Sequence, residues 1–231
     1  MKIPALTLIS ALLCLSSIAG AQRVMPKINV IGEVKDDRWL TQFSRNLLDT
    51  MKLTYKPSSL FIEVPGSECF NAQPYLKESM SCVRHQLQSK DGEFIAFIQI
   101  HKIFTRHDSI EMKKSLPGIT LPILNNQHIG NIKNNIRWLV SKEAVNNWKE
   151  HVTYYPGEEA HQKFNADTAI LVPIKLNERD HYKGKYNNFN ALYLQKKGRG
   201  FVNFYFFYTD AAKKDLPLYI KEIEGILRYE D

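Results

Sequence analysis

The sequence predicts an α+β protein, a mainly antiparallel sheet of about six strands with helices packed on it. Three observations lead there. An Asp91-Gly92 turn joins two extended apolar runs, which signals a hairpin. The last third of the chain reads strand, strand, strand, helix. Elsewhere the apolar spacing switches between a period of two and a helical stripe. Composition agrees: 231 residues, 44% hydrophobic and 24% charged, with too few Gly and Pro for a linker or a fibre.

The chain opens on an export address. Lys2 is a short positive region, Ile3 to Ile18 is nearly all apolar or small, and Ala19-Gly20-Ala21 fits the small-x-small cleavage pattern. Residues 1–21 are therefore expected to be a signal peptide. Residues 22–231 are expected to form one secreted domain, periplasmic or extracellular, beginning at Gln22. No later segment approaches membrane-spanning length. Cys14 leaves with the signal and follows Leu13, where a lipid-attachment site needs a small residue. Cys69 and Cys82 remain, 13 residues apart, and are expected to pair in an oxidising compartment. Closing that loop stabilises a fold by roughly 3 kcal/mol in the chain-entropy picture.

The elements follow in order. Asp36-Asp37 can cap a helix whose apolar stripe is Trp39, Leu40, Phe43, Leu47, Leu48 and Met51. Leu60–Val64 is a short strand stopped by Pro65-Gly66. Cys82–Gln88 and Glu93–Phe104 flank the Asp-Gly turn. The second of these is apolar on both faces, with Phe94, Ala96, Ile98 and Ile100 on one and Ile95 and Phe97 on the other, so it is a central strand. His101 in that strand reads as a hydrogen-bonded structural histidine. Residues 105–127, with Pro117-Gly118, Pro122 and Asn125-Asn126, read as a long loop, and loops of that length often carry function. Ile129, Ile132, Ile136 and Leu139 predict a short helix. Ser141 caps a further one carrying Ala144, Val145, Trp148 and Val152 on one face, ended by Pro156-Gly157. Thr168–Leu176, Asn190–Gln195 and Phe201–Tyr208 are strands. Pro173 restricts the first to a site near an edge or bulge, and the last is aromatic on both faces and therefore central. The closing helix starts near Asp215, so that Pro217 falls in its first turn.

The strand, strand, strand, helix order over residues 165–229 resembles the Mog1/PsbP-like α/β sandwich. The run Lys196-Lys197-Gly198-Arg199-Gly200, entering an aromatic strand that ends at Tyr208, resembles secreted proteins of Bacteroidetes-type bacteria, a group with no activity attached. The sandwich resemblance implies an accessory or binding role at the level of fold alone.

Motifs for chemistry are sparse. Gly66-Ser67 lacks the second glycine of a nucleophile elbow, and Gly198-x-Gly200 connects two strands, not a strand and a helix, so it is no dinucleotide site. There is no phosphate loop and no His-Glu-x-x-His. The best metal candidates are Glu158 and His161, one helical turn apart, with His151 nearby; two ligands fall short of a catalytic zinc site. No cofactor is implied. Removing Lys2 leaves 30 basic against 24 acidic residues, a formal charge of +6 without the clustering that nucleic-acid binding requires. The densest basic group is Lys183, Lys185, Lys196, Lys197 and Arg199, with Tyr182, Tyr186 and Tyr193 among them. Glycines beside Arg199 let backbone amides approach an anion, while the plain reading is a solvated turn.

Three readings follow: an exported, non-enzymatic binding or accessory module; a hydrolase-type enzyme with a divergent site near His151, Glu158 and His161; and an anion-binding envelope protein using the 183–199 basic group. The first accommodates the missing motifs and the expected disulfide best. Its partner is an envelope protein or an anionic ligand.

Overall fold

The computed structural model describes residues 47, 51–64, 85–103, 110, 114, 126–176 and 184–231. The expected signal peptide, the 36–51 helix except for Leu47 and Met51, both cysteines, Lys183 and nearly all of the 105–127 loop lie outside them.

The described residues form an α+β fold around a seven-stranded antiparallel sheet. Its strands are β2 (Phe61–Val64), β3 (His85–Ser89), β4 (Phe94–Lys102), β5 (Thr153–Tyr154), β6 (Thr168–Lys175), β7 (Asn188–Lys196) and β8 (Gly200–Tyr208), in the order β2-β3-β4-β8-β7-β6-β5. A separate two-stranded ribbon pairs β1 (Leu53–Tyr55) with β9 (Leu227–Tyr229). The helices are α1 (Gln127–Leu139), α2 (Gly157–Phe164) and α3 (Leu216–Ile226).

The sheet centre is where the doubly apolar strands were expected. β4 and β8 pair along their full length, from Phe94↔Tyr208 to Lys102↔Gly200, and β7 pairs with the other side of β8. A strand buried on both faces needs cover on both, and it has it. On the first face, Phe94, Ala96, Ile98, Val202, Phe204, Phe206, Leu192 and Leu194 pack under α2, α3, the β1–β9 ribbon, Leu47 and Met51. Phe94 lies 4.6 Å from Tyr219 and 5.6 Å from Phe206, ring centre to ring centre, and this stack fastens α3 to the sheet. On the second face, Ile95, Phe97, Phe189, Tyr193, Tyr205 and Phe207 pack under α1 and two 3₁₀ turns, Glu143–Val145 and Trp148–His151.

Local chemistry sets the element ends. In α2, Glu158 and Glu159 fill the first turn and Lys163 the last, matching the helix dipole. Asn165 ends the helix in the left-handed region, its N–H returning to His161 O at 2.8 Å. Pro173 is exposed and lies beyond the short stretch of β6 (Ile170 and Leu171) that β5 covers, so its missing N–H breaks no ladder bond on that side.

The expected sheet stands, and three details are added or corrected. The sheet has seven strands, plus a ribbon, because β1, β5 and β9 span only 3, 2 and 3 residues, too short to show a period. The segment after Ser141 forms two 3₁₀ turns, not one helix. Ser141 Oγ does accept the Ala144 N–H at 3.2 Å, but Asn146 and Asn147 break the run, and Ala144 and Trp148 reach the core from separate turns. Leu227, whose spacing continues the helical stripe of Leu216, Ile220 and Ile223, instead starts β9.

Candidate functional site

Side chains alternate across a strand, so each strand of the central trio offers every second residue to one face. Over most of the second face these residues are apolar. Towards the Lys102–Gly200 end they turn polar together. Register sets Gln99 against Asn203, and Asn203 against Tyr193; the next row is His101, Phe201 and Gln195. The imidazole of His101 stacks on Phe201 at 4.5 Å with 12° between planes. Helix α1 lies above. Its His128 ring is 6.3 Å from Phe201, and Asn135 Nδ2 donates to the Tyr193 hydroxyl. Asn203 Nδ2 donates to the Tyr205 hydroxyl at 3.2 Å.

Most of this is sealed from solvent: Gln99, Asn203 and Tyr193 are fully buried, His128 and Asn135 nearly so, and His101 is half-buried. Burial, reinforced by the Tyr205 hydroxyl, pushes the Tyr193 phenol well up, so it remains a neutral donor and acceptor. Burial pushes His128 down to about 4, so its ring is neutral at physiological pH. Asn203 Oδ1 and His128 Nδ1 make no hydrogen bond among the described residues, although both are shut away from water. An unsatisfied buried polar atom costs about 1–3 kcal/mol, and two in one patch are an unusual concentration. The patch holds amides, phenols and imidazoles, with no carboxylate, ammonium or guanidinium in these rows. It suits a neutral ligand rich in hydrogen-bond donors.

A second polar cluster lies on the first face, at the β2 side. Tyr55 of β1 donates its hydroxyl proton to Glu63 Oε1 of β2 at 2.8 Å, and the same hydroxyl oxygen is 2.5 Å from His85 Nε2 of β3. His85 Nε2 is in turn 3.5 Å from Glu63 Oε2. Burial lowers the His85 imidazole and, with the Glu63 carboxylate beside it, raises the Tyr55 phenol far beyond its ordinary range.

The residues singled out from sequence are placed differently. Glu158 and His161 share α2 and are exposed, while His151 ends a 3₁₀ turn; no group of three or more His, Cys, Asp or Glu suited to a metal occurs among the described residues. The basic group divides between opposite ends of β7, whose nine residues span eight steps of ~3.3 Å, about 26 Å. At one end Lys185 pairs with Glu93 at 2.7 Å. At the other, Lys196, Lys197 and Arg199 do form the β7–β8 hairpin tip, where the Lys196 ammonium, the Lys197 backbone N–H and the Arg199 guanidinium are engaged. Lys196 Nζ donates to Asn165 Oδ1 at 2.9 Å, the Lys197 N–H to Asp167 at 2.7 Å, and Arg199 Nη1 to the Glu230 carbonyl at 2.6 Å. The backbone N–H groups that an anion would use are occupied by Asp167 and by Lys196 O. Tyr186 and Tyr193 are buried and add no aromatic surface there. Cys69, Cys82 and Lys183 lie outside the described residues.

Both polar clusters escaped sequence reading, because their members sit on strands far apart in the chain. The available signal was parity: Gln99 and His101 interrupt β4 on one face only, and Asn203 interrupts β8 on the same one. No helix among the described residues is long and apolar enough to cross a membrane. No family model, curated protein or solved structure matches the chain.

Proposed function

We propose that this is an exported, non-enzymatic binding module whose ligand is a small, uncharged, hydroxyl-rich molecule of the sugar class, held on the second sheet face beneath α1. One observation carries the reading: Asn203 Oδ1 and His128 Nδ1 are buried without a hydrogen bond, on facing elements. A core built only for stability would replace these groups with apolar ones, because partly satisfied polar networks cost free energy. A ligand hydroxyl would donate to Asn203 Oδ1 and pair with the His128 ring, while Phe201 and the aromatic floor exclude water. The export signal at residues 1–21 and the expected Cys69–Cys82 bridge support a role outside the cytoplasm.

The test is a thermal-shift screen of neutral mono- and disaccharides, with anionic sugars and inorganic phosphate as counter-screens. A neutral sugar should raise the melting temperature of the wild type and leave Asn203→Leu unmoved. A shift of equal size in Asn203→Leu, or shifts with anions alone, would sink the reading. A thiol titration that finds Cys69 and Cys82 both free in protein recovered from an oxidising compartment would remove the support from the bridge.

A further inference from the structure

The cluster of Tyr55, Glu63 and His85 is separate from the second-face patch and has a different chemistry. It gathers one phenol, one carboxylate and one imidazole from three strands, out of positions 8 and 22 residues apart in sequence. We propose that these three side chains form a metal site for a first-row transition cation, ferric iron by the character of its donors.

The geometry is the main argument. Tyr55 Oη stands 2.5 Å from His85 Nε2 and 2.8 Å from Glu63 Oε1, and the second carboxylate oxygen, Oε2, stands 3.5 Å from His85 Nε2. Ligands bound at about 2.1 Å with right angles between them are separated by about 3.0 Å, so the phenol oxygen already stands near ligand spacing from both of its neighbours. They are carried on β-strands, which hold ligands more firmly than loops do. His85 is fully buried, and its ring packs edge-on against Tyr55 at 4.8 Å, so its direction is fixed. Glu63 Oε2 makes no hydrogen bond among the described residues and keeps a lone pair for a cation. The Glu63 side chain is 13% exposed, which leaves the cluster an opening towards solvent.

Two oxygen donors, one of them able to become an anionic phenolate, favour a hard, highly charged cation; the imidazole favours a transition metal over magnesium or calcium. The balance is simple. The cation takes the place of the hydroxyl proton shared by Tyr55 and Glu63. One Fe–O bond forms to Tyr55, one O–H bond breaks, and one proton leaves to water. Glu63 contributes a lone pair; His85, whose Nε2–H faces the Tyr55 oxygen while the phenol proton goes to Glu63, carries its proton on Nδ1 instead and binds through Nε2, and no electron is transferred.

The test adds ferric nitrilotriacetate to the purified chain and records visible absorption and melting temperature. A visible tyrosinate-to-iron band should appear together with a raised melting temperature. Tyr55→Phe, which removes one hydroxyl and keeps the ring in the core, should abolish the band. Glu63→Gln and His85→Asn should each weaken iron binding at least tenfold. No band in the wild type, a band that survives in Tyr55→Phe, or a magnesium-induced stabilisation equal to that by iron would each overturn the proposal.

Discussion

Asn203 and Gln99 face each other across the β8–β4 pair at the centre of the sheet, and both amides are completely buried. On that face Phe97 and Tyr205 precede the pair and His101 and Phe201 follow it, so the pair stands where the apolar face turns polar.

That placement predicts opposite effects for two substitutions of similar size. Asn203→Leu removes an acceptor without a partner and should leave stability unchanged or raise it by about 1 kcal/mol, since removing an unsatisfied buried group offsets the lost bond to Tyr205. Asn203→Asp buries a charge with no counter-ion and should cost several kcal/mol. Urea midpoints for the two variants measure this directly. A large loss in Asn203→Leu would mean that the amide is structural.

Gly200 begins β8 in a conformation with φ of 137°, where a Cβ would sit 2.2 Å from the His101 carbonyl oxygen and 2.6 Å from Met51 Sδ. The sulfur could move; the backbone oxygen of a central strand could not. Gly200→Ala should therefore destabilise the fold by about 2–4 kcal/mol, combining backbone strain with displacement of β4. Chemical denaturation would show a lowered midpoint with little change in slope.

His128 gives stability a pH dependence of known sign. Its ordinary value is 6.5, and in the folded protein burial lowers it to about 4. Between these values the unfolded chain binds a proton that the native chain refuses. The contribution is therefore full above about pH 6.5 and is lost as pH falls towards 4. His128→Gln should flatten that part of the stability–pH curve relative to wild type, and curves of equal slope would refute the assignment.

Arg199 holds the C-terminal end of the chain through the Glu230 carbonyl, while Asn165 Nδ2 donates to the Tyr229 carbonyl. Arg199→Ala should leave global stability within about 0.5 kcal/mol, as exposed single contacts do. Hydrogen exchange should nevertheless speed up over β9 and its partner β1, and an unchanged exchange pattern would show that β9 is held without it.

Much of the fold was legible because it rests on short-range patterns. The double-sided apolar runs at 94–102 and 201–208 placed β4 and β8 in the centre. The Asp91-Gly92 signal placed a hairpin. The stripe Ile132, Ile136 and Leu139 placed α1 with one face to the core. The 3₁₀ turns after Ser141 were not legible, since their apolar spacing imitates an α-helix. The basic group is continuous in sequence, but the nine residues of β7 lie between its halves and carry them to opposite ends of the strand.

The sequence by itself determined the α+β class, the main strands and helices and the turn chemistry, because each depends on residues within a few positions of one another. Only the tertiary structure decided which polar side chains meet. Gln99, Asn203 and Tyr193 become neighbours through the register of three strands, and Tyr55, Glu63 and His85 through the packing of a ribbon against a sheet edge. Register is set by pairing across long stretches of chain, where a one-residue slip would turn every one of these groups to the opposite face.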